Sequence, residues 1–163
     1  MRQILASMVL IVLLFPALAL GTTMDDLVTK KGLHYKNIFK MFIGVPFTGK
    51  VTGKEQGSIK NGKRHGPWVF YWDNGKLRVK GTYKNGKRED GPWVSYHDTG
   101  QLHHKGTYKD GKLDGPWIGY HYNGQLHWKG TYKDGKRDGP WVGYNKNGQL
   151  FSQETFKNGV KVK

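Results

Sequence analysis

The stretch Gly91-Pro92-Trp93-Val94-Ser95-Tyr96-His97-Asp98-Thr99-Gly100-Gln101-Leu102, continued after His103-His104 by Lys105-Gly106-Thr107-Tyr108-Lys109-Asp110-Gly111-Lys112, decides the fold. Its pattern recurs along the chain. Gly-Pro-Trp stands at 66–68, 91–93, 115–117 and 139–141, at spacings of 25, 24 and 24. A fixed period of this size marks a repeat array, in which each unit is one supersecondary element stacked on its neighbours. The one extra residue falls within Arg88-Glu89-Asp90 and reads as a bulge or a longer turn at the sheet edge.

Each unit carries two turn signals. Asn74-Gly75, Thr99-Gly100, Asn123-Gly124 and Asn147-Gly148 form one set; Asn61-Gly62, Asn85-Gly86, Asp110-Gly111, Asp134-Gly135 and Asn158-Gly159 form the other. Asn-Gly and Asp-Gly tolerate positive φ at both central residues, the requirement of a two-residue hairpin. Two turns in 24 residues predict two short antiparallel strands per unit, and runs such as Trp-Val-Ser-Tyr suit strands. A two-residue loop at Thr99-Gly100 pairs Tyr96 with His103 and Trp93 with Gly106, so that the indole covers bare backbone across the strand. Alternation then places Trp93, Leu102 and Tyr108 on one face and Val94, Tyr96, His103 and Lys105 on the other; a bulge would flip part of that assignment.

The pattern Gly-Pro-Trp-Val-x-Tyr-x-x-Asn-Gly-Gln-Leu-x-x-Lys-Gly-x-Tyr-Lys-[Asn/Asp]-Gly-Lys resembles the MORN repeat, and more closely its bacterial variant in YwqK-type antitoxin proteins. The resemblance covers residues 57–159. It implies an all-β fold, an elongated single-layer antiparallel sheet of tandem 24-residue hairpin repeats used for protein or membrane contacts. It also implies an antitoxin role, the neutralising of a toxin partner.

Outside 57–159, residues 22–56 read as an N-terminal segment with degenerate capping strands and 160–163 as a tail. Glu154 replaces the repeat glycine where the pattern decays, and terminal units that differ from internal ones are usual in such arrays. Residues 1–21 have a short positive start at Arg2, an apolar run from Ile4 to Leu20, and small residues at Ala17, Ala19 and Gly21. That is the layout of a secretory signal peptide. An uncleaved anchor is the competing reading, disfavoured by Pro16 and by a run barely long enough for a ~30 Å bilayer core. The chain has no cysteine, so disulfides, thiolate metal sites and lipidation at an N-terminal cysteine are excluded.

The net charge of +15 directs attention to anionic partners. Lys60, Lys63, Lys84, Lys87, Lys109, Lys112, Lys133 and Lys136 flank the second turn set. With Lys157, Arg64, Arg88 and Arg137 against six nearby carboxylates they give that long edge +6. A further row, Lys80, Lys105 and Lys129, lies on a face. Such an edge serves either as a contact strip for an acidic protein or polyanion, or as a solvated guard against strand aggregation. Trp68, Trp93, Trp117 and Trp141 read as packing residues, and Tyr71, Tyr96, Tyr120 and Tyr144 as a row that one open face offers to a partner or a wall glycan. His97/His121 and His103/His127 are equivalent positions two strands, ~10 Å, apart, too far to share a zinc ion. His103 and His104 are expected on opposite faces.

No nucleophile elbow, phosphate loop or His-x-x-x-His spacing occurs, so no catalytic residue, cofactor or metal is assigned. The reading is an exported, non-enzymatic scaffold with an unknown, acidic protein partner. Adhesion to an anionic lipid or envelope polymer is one alternative and a YwqK-type antitoxin neutralising a toxin partner is the other; nucleic acid is disfavoured by export.

Overall fold

The computed structural model describes residues 21–30, 32–38 and 41–162. The expected leader, but for Gly21, lies outside them. Among the described residues no helix is long and apolar enough to cross a membrane.

After a 3-10 turn at Met24–Asp26 come β1 (Leu27–Lys30), β2 (Leu33–Ile38) and β3 (Met41–Pro46), a small antiparallel sheet. The repeats follow as β4 (Gly49–Val51), β5 (Glu55–Lys60), β6 (Lys63–Tyr71), β7 (Leu77–Lys84), β8 (Lys87–Arg88), β9 (Gly91–Tyr96), β10 (Leu102–Lys109), β11 (Lys112–Leu113), β12 (Gly115–Tyr120), β13 (Leu126–Lys133), β14 (Lys136–Tyr144), β15 (Leu150–Lys157) and β16 (Val160–Lys161). They form one sheet in chain order. The short β8 and β11 pair with β7 and β10 before the chain kinks into β9 and β12. The expected long antiparallel sheet of tandem hairpins is the fold.

The two turn sets differ. In the second set both residues have positive φ, as at Asn61 (50°) and Gly62 (74°) or Asp110 (50°) and Gly111 (73°), which is the two-residue hairpin expected. In the first set only the glycine does, Gly100 at 91°. His97 N–H donates to Gln101 O at 2.8 Å and Gly100 N–H to His97 O at 2.9 Å, so the loop is Asp98-Thr99-Gly100, three residues long. The extra loop residue shifts the register. Trp93 pairs with Gly106 as expected, but Tyr96 pairs with Leu102, and His103 is a bulge between Leu102 and His104. Leu102 therefore shares a face with Tyr96, not with Trp93. Arg78, His127 and Phe151 occupy the same bulge in the other units.

A second irregularity falls on Gly-Pro-Trp. Lys129 pairs with Val142 and Thr131 with Asp138, so Gly139-Pro140-Trp141 stand opposite Gly130 alone. Proline is accepted there because the bulge needs no ladder donor from it. The bulge also fixes what the indole covers. Trp93 is in register with Gly106, yet its ring lies on Gly81 of the preceding strand; Trp117 lies on Gly106 and Trp141 on Gly130. A Cβ on Gly106 would sit 2.3 Å from the Trp117 ring. The extra residue at Glu89-Asp90 is absorbed in the kink before β9, with the Asn85-Gly86 turn unchanged.

The tryptophans form the core on this inner face, from 1% exposed at Trp68 to 7% at Trp141. Lying flat on glycine lowers each ring into the sheet. Tyr83, Tyr108 and Tyr132 meet Trp93, Trp117 and Trp141 edge-on at 5.1–5.8 Å. Guanidinium groups cover what remains: Arg64, Arg88 and Arg137 stand 4.8, 4.3 and 4.4 Å from the ring centres of Trp68, Trp93 and Trp141. Met24, Leu27 and Phe47 pack on Val51, Ile59, Trp68 and Phe70 at the N-terminal end. At the other end Glu154 takes the glycine position and pairs with Lys161 at 2.7 Å, no further tryptophan following.

Candidate interaction surface

The outer face is built from rows that cross the strands. Register carries one row from Val69 through Lys80, Val94, Lys105, Ile118, Lys129 and Val142. To one side run Tyr71–Leu77, Tyr96–Leu102, Tyr120–Leu126 and Tyr144–Leu150. To the other run Pro67–Thr82, Pro92–Thr107, Pro116–Thr131 and Pro140–Thr155, and beyond them the turn lysines. The tyrosines are half-buried; the prolines, and Lys80, Lys105 and Lys129, are exposed. None of these three lysines enters an ion pair with a described residue.

The eight predicted edge lysines are all exposed, and register sets them in like-charged pairs: Lys60 with Lys63, Lys84 with Lys87, Lys109 with Lys112 and Lys133 with Lys136. Like charges directly opposite each other destabilise a hairpin. By strand alternation they project on the same side as Lys80, Lys105 and Lys129, so edge and face form one basic surface. The arginines leave this count. Arg64, Arg88 and Arg137 turn to the inner face over the indoles, and nine lysines against six carboxylates leave +3 rather than +6. Three of those carboxylates are structural: Asp90, Asp114 and Asp138 accept the backbone N–H of Asp110, Asp134 and Asn158 in the next turn. A shallow groove opens between the turns, among Lys63, Lys84, Lys87 and Asp110.

His97, His103, His104, His121 and His127 lie on the inner face, and the expected split of His103 from His104 is wrong. The bulge aims both the same way, their rings 4.7 Å apart. His97 stacks between His103 at 4.3 Å and Tyr122 at 4.0 Å, and His121 stacks on His127 at 4.0 Å. His97 Nε2 donates to Tyr120 O at 3.0 Å and His121 Nε2 to Tyr144 O at 2.7 Å, stapling each unit to the next; Trp72 Nε1 does the same to Tyr96 O. Periodicity alone gave no sign of this role. Burial, then the neighbouring His103, Arg88 and His97, push His104 down to about 4, while its Nδ1 shares a hydrogen with Ser95 Oγ at 2.8 Å. Burial with His97 and His127 lowers His103, and burial with His121 lowers His127. Among the described residues no three His, Asp or Glu converge as metal ligands.

No curated protein matches the chain. The family model for the MORN repeat variant matches residues 64–85, 89–110, 113–134 and 137–158, one match per hairpin unit and together more than half of the sequence. The geometry and that match agree unit by unit: the chain belongs to the MORN repeat variant family.

Proposed function

We propose that this protein is a non-enzymatic, exported scaffold that binds another protein through its outer face, with the tyrosine–leucine row and the lysines as contacts. One observation carries the reading: three successive units present the same Tyr, Leu, Val/Ile and Lys set in register on a face opposite the core, with Lys80, Lys105 and Lys129 in no ion pair with a described residue, and the fourth keeps Val142, Tyr144 and Leu150 with Gln153 in the lysine's place. Aromatic and aliphatic residues beside charges are what interfaces use, and repetition lets modest contacts add. The inner face suits this role less, because arginines, histidines and the N-terminal cap already occupy it.

A photo-cross-linking residue placed at Tyr96 or Tyr120 tests the reading in the living cell. Adducts with a discrete protein are expected there and not from an inner-face position such as Tyr132. Absence of adducts from the outer face overturns it. Export is tested by fractionation with N-terminal sequencing, which is expected to find a chain starting near residue 22.

The one-sided lysines also favour a second reading, adhesion to an anionic lipid or envelope polymer; it requires binding that weakens steeply with salt. The antitoxin role would set the same face against a toxin, and rescue of a toxic partner by co-expression is its test.

A further inference from the structure

We infer that the outer face receives an acidic, extended segment of the partner in polyproline II form, running across the strands along the threonine–proline row. This rests on the scaffold reading above and names the chemistry of what docks.

The row is a trough. Thr82, Thr107 and Thr131 with Pro92, Pro116 and Pro140 line its floor with short side chains. Lys80, Lys105 and Lys129 stand along one bank and Lys84, Lys109 and Lys133 along the other, four residues further on the same strands and on the same face. All six lysines are exposed, and among the described residues only Lys84 of the six has an ion-pair partner, Glu89 at 3.6 Å. The carboxylates nearby sit in and beside the turns, and lysines outnumber them on this surface.

Spacing selects the conformation. Equivalent lysines lie two strands apart, so each bank repeats every ~9.6 Å at ~4.8 Å per strand. A polyproline II helix has three residues per turn and rises 3.1 Å per residue, so every third side chain returns to the same side after ~9.3 Å. A β-strand returns every ~6.8 Å, out of step with the lysines. An α-helix comes closest with seven residues, ~10.5 Å, and drifts by nearly 1 Å per unit. Only the first keeps carboxylates in phase with the lysines over the whole array. Its backbone makes no internal hydrogen bonds, so its carbonyls are free to accept from lysine and threonine.

The test uses the full chain and synthetic peptides of equal length and charge, with affinity read by fluorescence anisotropy. One peptide has Glu at every third position in a proline-rich background; a second has Glu at every second position without proline; a third is a helical peptide with Glu in heptads. The first is expected to bind at least about tenfold more tightly than the others. K80E/K105E/K129E is expected to abolish that preference, and K80Q/K105Q/K129Q to weaken it, with far-ultraviolet dichroism and melting temperature confirming the fold. Equal affinity for all three peptides overturns the inference, as does a preference left undiminished in the glutamine variant. Binding of anionic vesicles but of no peptide also overturns it. If outer-face cross-links form in cells while the peptides do not discriminate, this inference fails and the scaffold reading stands.

Discussion

Gly106 lacks a side chain because Trp117 occupies the space one would fill, and its role is therefore steric. Replacing it by alanine drives a methyl group into the ring, and overpacking of this kind costs about 1–3 kcal/mol. Gly106→Ala is expected to lower the melting temperature by several degrees, where alanine at an unconstrained glycine would raise it. His104 sets a second expectation at this scale. Its folded pKa of about 4 lies below the ordinary 6.5, so the folded state favours the neutral ring. Stability from this group is present above pH 6.5 and is lost as pH falls toward 4, because the unfolded chain takes up the proton first. Thermal melts between pH 7.5 and 4 should show an acid-induced loss that His104→Asn makes shallower; a parallel loss in both proteins would remove the attribution.

The hairpins separate what sequence reveals from what it hides. The Asn-Gly, Asp-Gly and Thr-Gly signals located both turns of every repeat, but one kind of signal serves two geometries. Asp110 sits at positive φ, where a β-branched residue costs about 1–2 kcal/mol, whereas Thr99 does not. Asp110→Val is thus expected to destabilise by that amount and Thr99→Val by less than about 0.5 kcal/mol, read from denaturant midpoints. Period, strand count and the Trp93–Gly106 register were legible because they follow from spacing alone. The bulges at His103 and at Gly-Pro-Trp were not, since each depends on how many residues the opposite strand contributes. That single miss moved Leu102 to the outer face and His103 to the inner one. The direction of the indole was equally hidden: Trp68, Trp93 and Trp117 each have a glycine on both flanking strands, and only the bulge decides that each covers the earlier one. The turn of Arg64, Arg88 and Arg137 onto the rings left no trace in a count of charges. Tyr96, by contrast, shares a face with Val94 and Lys105 as alternation put it, and all eight edge lysines flank the second turn set.

Across the whole molecule, stability should be graded. Units touch only their neighbours, so the array approximates a sum of unit and interface contributions. The N-terminal end is covered by Met24, Leu27 and Phe47, while Leu150, Phe151 and Val160 are more than half exposed at the other. Hydrogen exchange is expected to be slowest in β5–β7 and fastest in β15–β16; uniform protection would contradict a graded array. Glu154 gives that open end a further meaning. Any unit inserted upstream brings its own glycine and its own tryptophan, so the sheet can grow from within by internal duplication. A unit joined beyond Lys157 would lay its tryptophan on a carboxylate already bound to Lys161. One residue thus leaves the array free to lengthen from within while closing the Glu154 strand to a further Gly-Pro-Trp unit.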